Sequence, residues 1–192
     1  QENWPQAQLE GMVITRYGHG LPTKSIQVIE AGHPVPDEAG LNGAKETLRL
    51  IRTLQPGDQL IALISGGGSS LLTLPAADLS IQDLQITTQA LLMSGAPIGQ
   101  MNDVRKHLSG ILGGHMAREA AARGAKVDAF LISDVTGDHP SSIASGPCAP
   151  DESTFADALQ ILKDYDLLQG QIPKVVTDYL QNGLLGKNPE TP

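Results

Sequence analysis

The chain has 192 residues, of which 40% are hydrophobic, 3% aromatic and 18% charged, with a formal net charge of −8 at pH 7. This length and apolar content fit one globular domain with a buried core, while the negative charge and the few aromatic residues argue against a nucleic-acid-binding surface. No apolar run approaches the roughly 20 residues of a membrane span, no signal peptide is evident, and the single Cys148 allows no internal disulfide, so we predict a cytoplasmic protein.

Two short apolar runs come first in the chain. Residues 12–15 and 26–29 are predicted strands, and each ends in a turn that contains a Gly-His pair. These turns place His19 and His33 in equivalent positions just beyond two strand ends. A helix is predicted over residues 37–54, where apolar residues recur at helical spacing and acidic residues stand at the start.

The next strand leads into the most unusual stretch of the chain. The apolar run over residues 60–64 is typical of a strand buried on both faces, and it opens into Ser-Gly-Gly-Gly-Ser-Ser at residues 65–70. Successive glycines are expected where the backbone bends sharply or approaches a ligand too closely for a side chain. Several N–H groups of such a loop can bind one anion, although a tight structural turn would explain the same composition.

The second half of the chain continues the alternation of predicted strands and helices. The predicted elements are helices over residues 81–91, from Thr154 onward and over residues 172–181, with a strand over residues 127–132. Helical character also extends over residues 102–122, but this segment contains three glycines. They indicate either a break near Ser109 or a very close packing partner.

The alternating pattern predicts an α/β fold, with a Rossmann-like, mostly parallel sheet and helices on both faces. In such sheets ligands bind beyond the carboxyl ends of the strands. The loops at Gly18, Gly32, Gly66 and Asp134 each follow a predicted strand, so we expect them to lie along one edge and share one site.

The densest basic cluster of this acidic chain is Asn-Asp-Val-Arg-Lys-His at residues 102–107. If a helix begins near Asn102, the cations in its first turns oppose the helix dipole, and a bound anion would offset that cost. A solvated charged face is the alternative interpretation.

Two carboxylates stand four residues apart in the loop after the last predicted strand. Asp134 and Asp138 flank Gly137, and His139 follows. Mg²⁺ is commonly held by one or two carboxylates together with substrate phosphates, whereas a plain surface turn would also use Asp. Zinc is less favoured, because the five histidines are scattered and no His/Cys cluster has ligand spacing.

An anion cradle, a basic cluster and an acidic loop on one edge are typical of an enzyme that acts on small anions. Neither the Walker pattern nor Gly-x-Gly-x-x-Gly is present, so the residues alone leave the reaction open.

Five stretches of the chain, in order, resemble the glycerate kinases of the MOFRL or DUF4147 type, whose members have also been named hydroxypyruvate reductases. The matching stretches are residues 15–20, 30–37, 63–70, 102–109 and 132–147. The resemblance implies ATP- and Mg²⁺-dependent phosphorylation of D-glycerate, typically at the 2-hydroxyl. It also implies a two-domain enzyme whose site lies between a Rossmann-like lobe and a smaller C-terminal lobe.

The resemblance assigns the family's functional motifs to numbered positions of this chain. The predicted catalytic residues are Arg105, Lys106 and Asp134, and the predicted metal ligands are Asp134 and Asp138. The predicted substrate- and phosphate-binding residues are Ser65, Gly66, Gly67, Gly68, Ser69, Ser70, His33 and Asn102.

Two features of the family are not matched in this sequence. Members carry a Gly-Lys-Ala motif, whose lysine is expected to be catalytic, before the first strand, and a further domain after this region. We therefore expect residues 1–192 to form a single α/β lobe, an internal fragment of a longer enzyme that binds glycerate and a nucleotide. A homodimer is a further hypothesis for its assembly.

Two other functions remain to be weighed. One is an oxidoreductase that reduces hydroxypyruvate with NAD(P)H, against which the missing dinucleotide fingerprint argues. The other is a non-catalytic module that binds sugar phosphates or other anions.

Overall fold

The computed structural model describes residues 8–192 and shows a mixed α/β fold, which confirms the predicted class. The described strands are β1 (Met12–Arg16), β2 (Gln27–Ala31), β3 (Gln59–Ser65) and β4 (Lys126–Ile132). The described α-helices are α1 (Glu38–Thr53), α2 (Ile81–Ser94), α3 (Ile98–His107), α4 (His115–Ala121), α5 (Phe155–Asp164) and α6 (Lys174–Leu184).

Both pairs of named strands are parallel, in agreement with the predicted mostly parallel sheet, and one isolated antiparallel bridge joins Pro75 and Ser109. β1 pairs with β2 from Met12–Gln27 to Arg16–Ala31, and β3 pairs with β4 from Gln59–Lys126 to Ser65–Ile132. Over residues 8–192 these pairs are two separate ladders, where the sequence led us to expect one sheet. A cleft of about 380 Å³, lined by residues of both β1 and β3, lies between them.

Helix α1 begins at a well-defined cap. The Asp37 carboxylate accepts a hydrogen bond from the Gly40 amide at 3.0 Å, and its other oxygen accepts one from the Tyr17 hydroxyl at 2.7 Å. Partial burial disfavours the charged carboxyl, but these hydrogen bonds outweigh burial and lower the pKa of Asp37 below its ordinary value. The cap therefore ties the loop after β1 to the start of α1.

The apolar face of α1 packs against both ladders. One core joins α1, β3, α4 and the segment before α4; its buried members include Ala44, Leu48, Ile51, Ala62, Ile111, Leu112 and Met116. Gly43 brings the helix close to β1, because a Cβ at this position would lie 2.8 Å from Ile14 Cδ1. Helix α1 thus lies across the cleft that separates β1 from β3.

Four helices form a second core beside the strands. Its largest members come from α2, α3, α5 and α6; they are Leu91, Val104, Leu108, Phe155, Leu162, Val176 and Leu180. Capping boxes at Ser80 and Thr154 start α2 and α5, as the sequence predicts. This core holds α3 in place beside the glycine loop.

The start of α3 corrects one sequence-based expectation. The helix begins after Pro97, which serves as its N-cap, and not near Asn102. Arg105, Lys106 and His107 consequently lie in its last turn, where the helix dipole favours cations by about 0.3–1 kcal/mol each. The argument that an anion must offset an unfavourable dipole is therefore wrong.

Of the two alternatives for the glycines after the basic cluster, a helix break and a close packing partner, the structure shows the break. Helix α3 ends at His107 and α4 begins at His115. Gly113 and Gly114 lie between them with φ of 56° and 82°, a left-handed conformation in which a side chain would be strained.

Helices α1 and α4 pack on one face of the strands, and the opposite face of β3 and β4 carries exposed apolar side chains. Leu63 and Ile132 on that face are 78% and 74% exposed. Among the described residues, no helix is both long enough and apolar enough to cross a membrane.

Candidate functional site

The loops that follow β2, β3 and β4 meet at one end of the strands, as predicted from the parallel topology. A Cβ on Gly66 would lie 1.8 Å from Cγ of Asp134, and a Cβ on Gly67 would lie 3.0 Å from Nε2 of His33. Only glycine can occupy these two positions without moving its neighbour. The glycine loop, Asp134 and His33 therefore form one cluster, which we call the strand-end site.

The glycine loop turns sharply as soon as β3 ends. The Gly66 amide donates to the Ile132 carbonyl at 3.1 Å, so the loop is held to the end of β4. Gly67 has φ of 77°, and residues 68–70 form a single 3₁₀ turn. Ser65 is exposed and Ser69 half-buried, whereas Ser70 is buried. The backbone of residues 66–68 is thus left without side chains beside Asp134 and His33.

A second loop, which the sequence did not identify as part of the site, packs against the first. A Cβ on Gly68 would lie 3.0 Å from Cβ of Ala144. Ala144 and Ser145 have φ of 50° and 57°, and Gly146 has φ of 58°, so three successive residues adopt the left-handed region. For two non-glycine residues this is strained, and such strain concentrates at functional sites.

Ser145 is also unusual in its side chain. It is fully buried, and its Oγ has no hydrogen-bond partner within residues 8–192. The Gly-Pro pair at residues 146–147 signals a sharp turn in the sequence, but no local pattern assigns a left-handed conformation to the Ala-Ser pair before it.

Arg105, one of the predicted catalytic residues, lies beside the glycine loop. Its side chain lines a small pocket of about 30 Å³ with Ser69, Ser70, Thr73 and Ser109. Burial lowers the pKa of the Arg105 guanidinium, which nevertheless stays cationic at neutral pH. Over the part of the chain that the structure describes, we find no ion pair or hydrogen bond for this cation. A hydroxyl-lined pocket with one unpaired cation is suited to an anion.

Lys106, the next residue, belongs to a different environment. Its Nζ lies 2.6 Å from the Asp151 carboxylate and 3.0 Å from that of Asp103. Burial disfavours the charged amine, but these two carboxylates outweigh burial and raise the pKa of Lys106. Both Lys106 and Asp151 are almost completely buried. The charge of Lys106 is therefore neutralised within the fold.

Asp151 also joins parts of the chain that are far apart in sequence. Its carboxylate accepts hydrogen bonds from the Ser153 amide at 3.1 Å and hydroxyl at 2.7 Å, and from the Thr191 hydroxyl at 2.9 Å. We call Lys106, Asp151, Ser153 and Thr191 the Asp151 cluster. This cluster links the end of α3 to the segment before α5 and to the last residues of the chain.

Asn102 and Asp138 are the remaining predicted site residues. Asn102 is buried in α3, and its Oδ1 finds no partner among residues 8–192. Asp138 is exposed in the loop after β4, with φ of 53°. The described residues contain no group of three or more His, Cys, Asp or Glu side chains placed to hold a metal. A two-carboxylate magnesium site, as predicted, needs no such group.

Cys148 is outside the strand-end site. Burial raises the pKa of its thiol to about 11, so the thiolate is scarce at neutral pH. A thiol of this kind is a poor nucleophile.

Comparison with known proteins identifies the family of this chain. The family described as "Domain of unknown function (DUF4147)" matches residues 1–181. A protein from Agrobacterium vitis named "Putative hydroxypyruvate reductase" is 51% identical over 164 residues, which are 85% of this chain and 37% of that protein. The "Glycerate 2-kinase" of Pyrococcus horikoshii is 44% identical over 182 residues, which are 95% of this chain and 40% of that protein.

A solved structure shares the fold as well as the sequence. The crystal structure of a glycerate kinase from Thermotoga maritima superposes with a TM-score of 0.82 and 42% identity, covering 95% of this chain and 42% of that one. The chain thus spans about two fifths of the length of the relatives it matches. Because the family's match extends over nearly the whole sequence, the chain belongs to the DUF4147 family.

Proposed function

We propose that the full-length protein is a glycerate kinase, which transfers the γ-phosphoryl group of ATP to the 2-hydroxyl of D-glycerate. The observation that carries this proposal is the strand-end site, where a loop without side chains meets an exposed carboxylate and an imidazole beside the partly buried, unpaired cation of Arg105. The Pyrococcus relative is a glycerate 2-kinase by name and the Thermotoga structure is that of a glycerate kinase, which supports the same kind of reaction.

The substrate-binding part of the proposal rests on Arg105 and the glycine loop. A desolvated guanidinium binds a carboxylate or phosphate through two parallel hydrogen bonds, and such charge-assisted bonds are stronger than neutral ones. Ser69 and Ser70 line the same pocket and add hydroxyl donors. The amides of Gly67 and Gly68 are suited to hold a second anionic group, so that the two reactants lie side by side, whereas the Gly66 amide holds the loop to β4.

The acidic part rests on Asp134 and Asp138. Asp134 is exposed and lies against Gly66, so a ligand held by the loop amides would be within reach of its carboxylate. Hard carboxylate oxygens of this kind fit Mg²⁺, which we assign to Asp134 and Asp138. When bound, Mg²⁺ neutralises phosphate charge during transfer.

Proton movement in the reaction is assigned to His33. Transfer of the phosphoryl group forms a new P–O bond at the 2-hydroxyl of glycerate, releases ADP and frees the hydroxyl proton. The closeness of His33 Nε2 to Gly67 in the strand-end site supports its role as the acceptor of that proton. Lys106, which the resemblance assigns to catalysis, is engaged by Asp103 and Asp151, so we give it the role of holding α3 and thereby Arg105.

A substrate assay on the full-length protein tests the proposal. Incubation with ATP, Mg²⁺ and D-glycerate should yield ADP and 2-phosphoglycerate in equal amounts, and omission of glycerate should stop ADP release. Absence of both products from a folded full-length protein would refute the assignment.

The name of the Agrobacterium relative favours a second candidate function, the reduction of hydroxypyruvate. The same preparation with hydroxypyruvate and NADH or NADPH decides between the two. A fall in nicotinamide absorbance supports the reductase, whereas a flat trace beside ADP formation supports the kinase. A non-catalytic anion-binding module would show neither. The cytoplasmic location and a homodimer stay predictions.

A further inference from the structure

His107, the last residue of α3, is fully buried and makes two close polar contacts through its ring. Its Nδ1 lies 2.8 Å from the backbone carbonyl oxygen of Asp103, and its Nε2 lies 3.2 Å from the Glu190 carboxylate. The ring is therefore placed between two groups that accept hydrogen bonds. The second contact joins α3 to residues 190–192, which we call the tail segment.

The two contacts determine how many protons the ring carries. A carbonyl oxygen can only accept a hydrogen bond, so the contact with Asp103 requires a proton on Nδ1. A neutral imidazole would then present a lone pair at Nε2 to the carboxylate of Glu190, and two acceptors repel each other. One further proton must therefore lie between His107 and Glu190. It belongs either to an imidazolium ion beside a carboxylate or to a carboxylic acid beside a neutral ring.

The surroundings of Glu190 favour the ionised carboxylate. Its two oxygens accept hydrogen bonds from the Phe155 amide at 3.2 and 3.1 Å, and Phe155 is the first residue of α5. Backbone N–H donors and the N-terminal end of a helix both stabilise a negative charge. The Glu190 side chain is also 48% exposed, so it keeps contact with water. A carboxylic acid is therefore disfavoured at this position.

The negative groups around His107 favour the imidazolium ion. Burial opposes a charge on the ring, so a cation here needs compensating partners. The ring lies at the C-terminal end of α3, where the helix dipole stabilises a positive charge. From the segment before α5, the Asp151 carboxylate lies 3.9 Å from Nδ1, and Asp157 of α5 interacts electrostatically with the ring. Together with Glu190, these groups supply that compensation.

The positive groups near His107 oppose its charge only weakly. Lys106 is engaged by the carboxylates of the two aspartates that bind its Nζ, so its charge is already balanced. Burial and the nearby Arg118 lower the pKa of His115 on α4 to about 4, so this histidine is neutral at neutral pH. The imidazolium form of His107 is thus the one that agrees with all of the surrounding elements.

We propose that His107 is an imidazolium ion bound to the Glu190 carboxylate, and that this ion pair is a proton-dependent latch between the tail segment and helices α3 and α5. When His107 loses its Nε2 proton, its lone pair faces the carboxylate and the attraction becomes repulsion. The latch is thus closed at low pH and opens as the pH rises. Because Arg105 lies in the same last turn of α3, opening also loosens the helix end beside the glycine loop. The latch does not rest on the proposed reaction.

Nitrogen NMR of the histidine rings in the full-length protein tests the protonation state. Long-range ¹H–¹⁵N spectra distinguish a protonated ring nitrogen from a bare one, and His107 should have both nitrogens protonated at about pH 6. His115 is the matched control and should have one bare nitrogen, because its pKa is about 4. A bare Nε2 on His107 at that pH would overturn the proposal.

Amide hydrogen exchange measures whether the latch is closed. Within residues 8–192 we find no acceptor for the Phe155 amide other than Glu190, so the protection factor of this amide reports the contact. Between about pH 5 and about pH 9, which brackets the titration of histidines, the factor should fall at least about 10-fold, as expected when a hydrogen bond to a charged group is lost. The Asp83 amide, which donates to Ser80 at the start of α2, should keep its protection factor. A constant protection factor for Phe155 would contradict the latch.

Two substitutions at Glu190 separate the charge of the latch from its packing. Glu190→Gln keeps an acceptor for the Phe155 amide and adds an NH₂ group that can donate to the bare Nε2 of a neutral ring, so the contact should persist at every pH. Glu190→Ala removes both contacts and should leave the Phe155 amide poorly protected throughout.

Glu152→Gln is the matched control for loss of one negative charge. Glu152 is exposed in the segment before α5, and its substitution should leave the pH dependence of the Phe155 amide as in the wild type. A Glu190→Gln variant with the same pH dependence as the wild type would overturn the proposal. None of these measurements depends on turnover, so failure of the latch and failure of the proposed reaction are distinguishable.

Discussion

The strand-end site and the Asp151 cluster are both rich in polar and charged groups, but they differ in how those groups are paired. In the Asp151 cluster the carboxylate accepts bonds from an amine, an amide and two hydroxyls. At the strand-end site the loop backbone approaches Asp134 and His33 so closely that side chains are excluded, and Arg105 nearby is unpaired within residues 8–192. Paired groups stabilise a fold, whereas unpaired ones are available to a ligand.

In helix α3, two consecutive residues differ in whether their charge is paired. Side chains of neighbouring helical residues point about 100° apart, so Arg105 and Lys106 face different surroundings. Arg105 faces the pocket beside the glycine loop, and Lys106 faces Asp151. The basic motif therefore divides into an unpaired cation, to which we assign ligand binding, and a residue that anchors the helix.

The largest effect on stability is expected from Asp151→Asn. The substitution leaves the buried Lys106 ammonium with only Asp103, and removing one partner of a buried ion pair should lower the free energy of unfolding by about 3 kcal/mol. Urea denaturation of the full-length protein measures this change in the free energy of unfolding. The control Asp178→Asn removes a solvent-exposed pair with Lys174 and should change stability by less than about 0.5 kcal/mol. Equal effects of the two variants would contradict a structural role of the cluster.

The effect of Asp151→Asn on the free energy of unfolding should depend on pH. Burial opposes ionisation of Asp151, but bonds from Lys106 and Ser153 outweigh it and hold the pKa below 3.8. A carboxyl whose pKa is lower in the folded state stabilises the fold above its unfolded pKa and loses that contribution as the pH falls through the folded value. The stability difference between wild type and Asp151→Asn should therefore be constant near neutral pH and shrink below pH 3.8. Denaturation curves at a series of pH values measure it, and a difference unchanged in acid would contradict the pairing.

Gly66→Ala should impair the strand-end site with little effect on the rest of the fold. The new Cβ would lie about 2 Å from the Asp134 carboxyl, which has to move. Displacing a catalytic group by about 1 Å can lower turnover about 100-fold, so we expect a loss of kcat of that size. Gly99→Ala is the matched control, since its Cβ meets no atom within 4 Å. Normal kcat in Gly66→Ala would show that the close approach of Asp134 has no part in catalysis.

Arg105→Met should have the smallest effect and should appear mainly in KM. The substitution keeps the length of the side chain and removes one charge-assisted contact, so KM for one anionic substrate should rise about 10-fold. Steady-state kinetics with ATP and glycerate varied in turn identify which substrate Arg105 binds. Arg123→Met, a change at a partly exposed arginine paired with Glu119, should leave both KM values unaltered. An unchanged KM for both substrates in Arg105→Met would remove Arg105 from the site.

Local sequence signals predicted the strand-end site well. The apolar run before Ser65, the three glycines and the turns after other strands are short-range features, and parallel topology brings their ends together. Capping residues such as Ser80 and Thr154 likewise marked helix starts correctly. The start of α3 was predicted wrongly, because its N-cap Pro97 offers no side chain that caps the helix by a hydrogen bond.

Contacts between residues that are far apart in the chain could not be predicted from the sequence. Lys106 and Asp151 are 45 residues apart, and no local pattern links them. The left-handed backbone at Ala144 and Ser145 also depends on packing against the glycine loop. The division into two ladders could not be read from the strand pattern, because periodicity identifies strands but not their neighbours.

The most direct test of the account compares phosphoryl transfer by the full-length protein with that of its Asp134→Asn variant. With ATP, Mg²⁺ and D-glycerate, ³¹P NMR should show 2-phosphoglycerate and ADP from the wild type. The variant keeps the shape of the side chain and removes its charge, so its rate should fall about 1,000-fold while its thermal stability stays unchanged. An Asp134→Asn variant that forms 2-phosphoglycerate as fast as the wild type would contradict the assignment of the strand-end site as the catalytic centre.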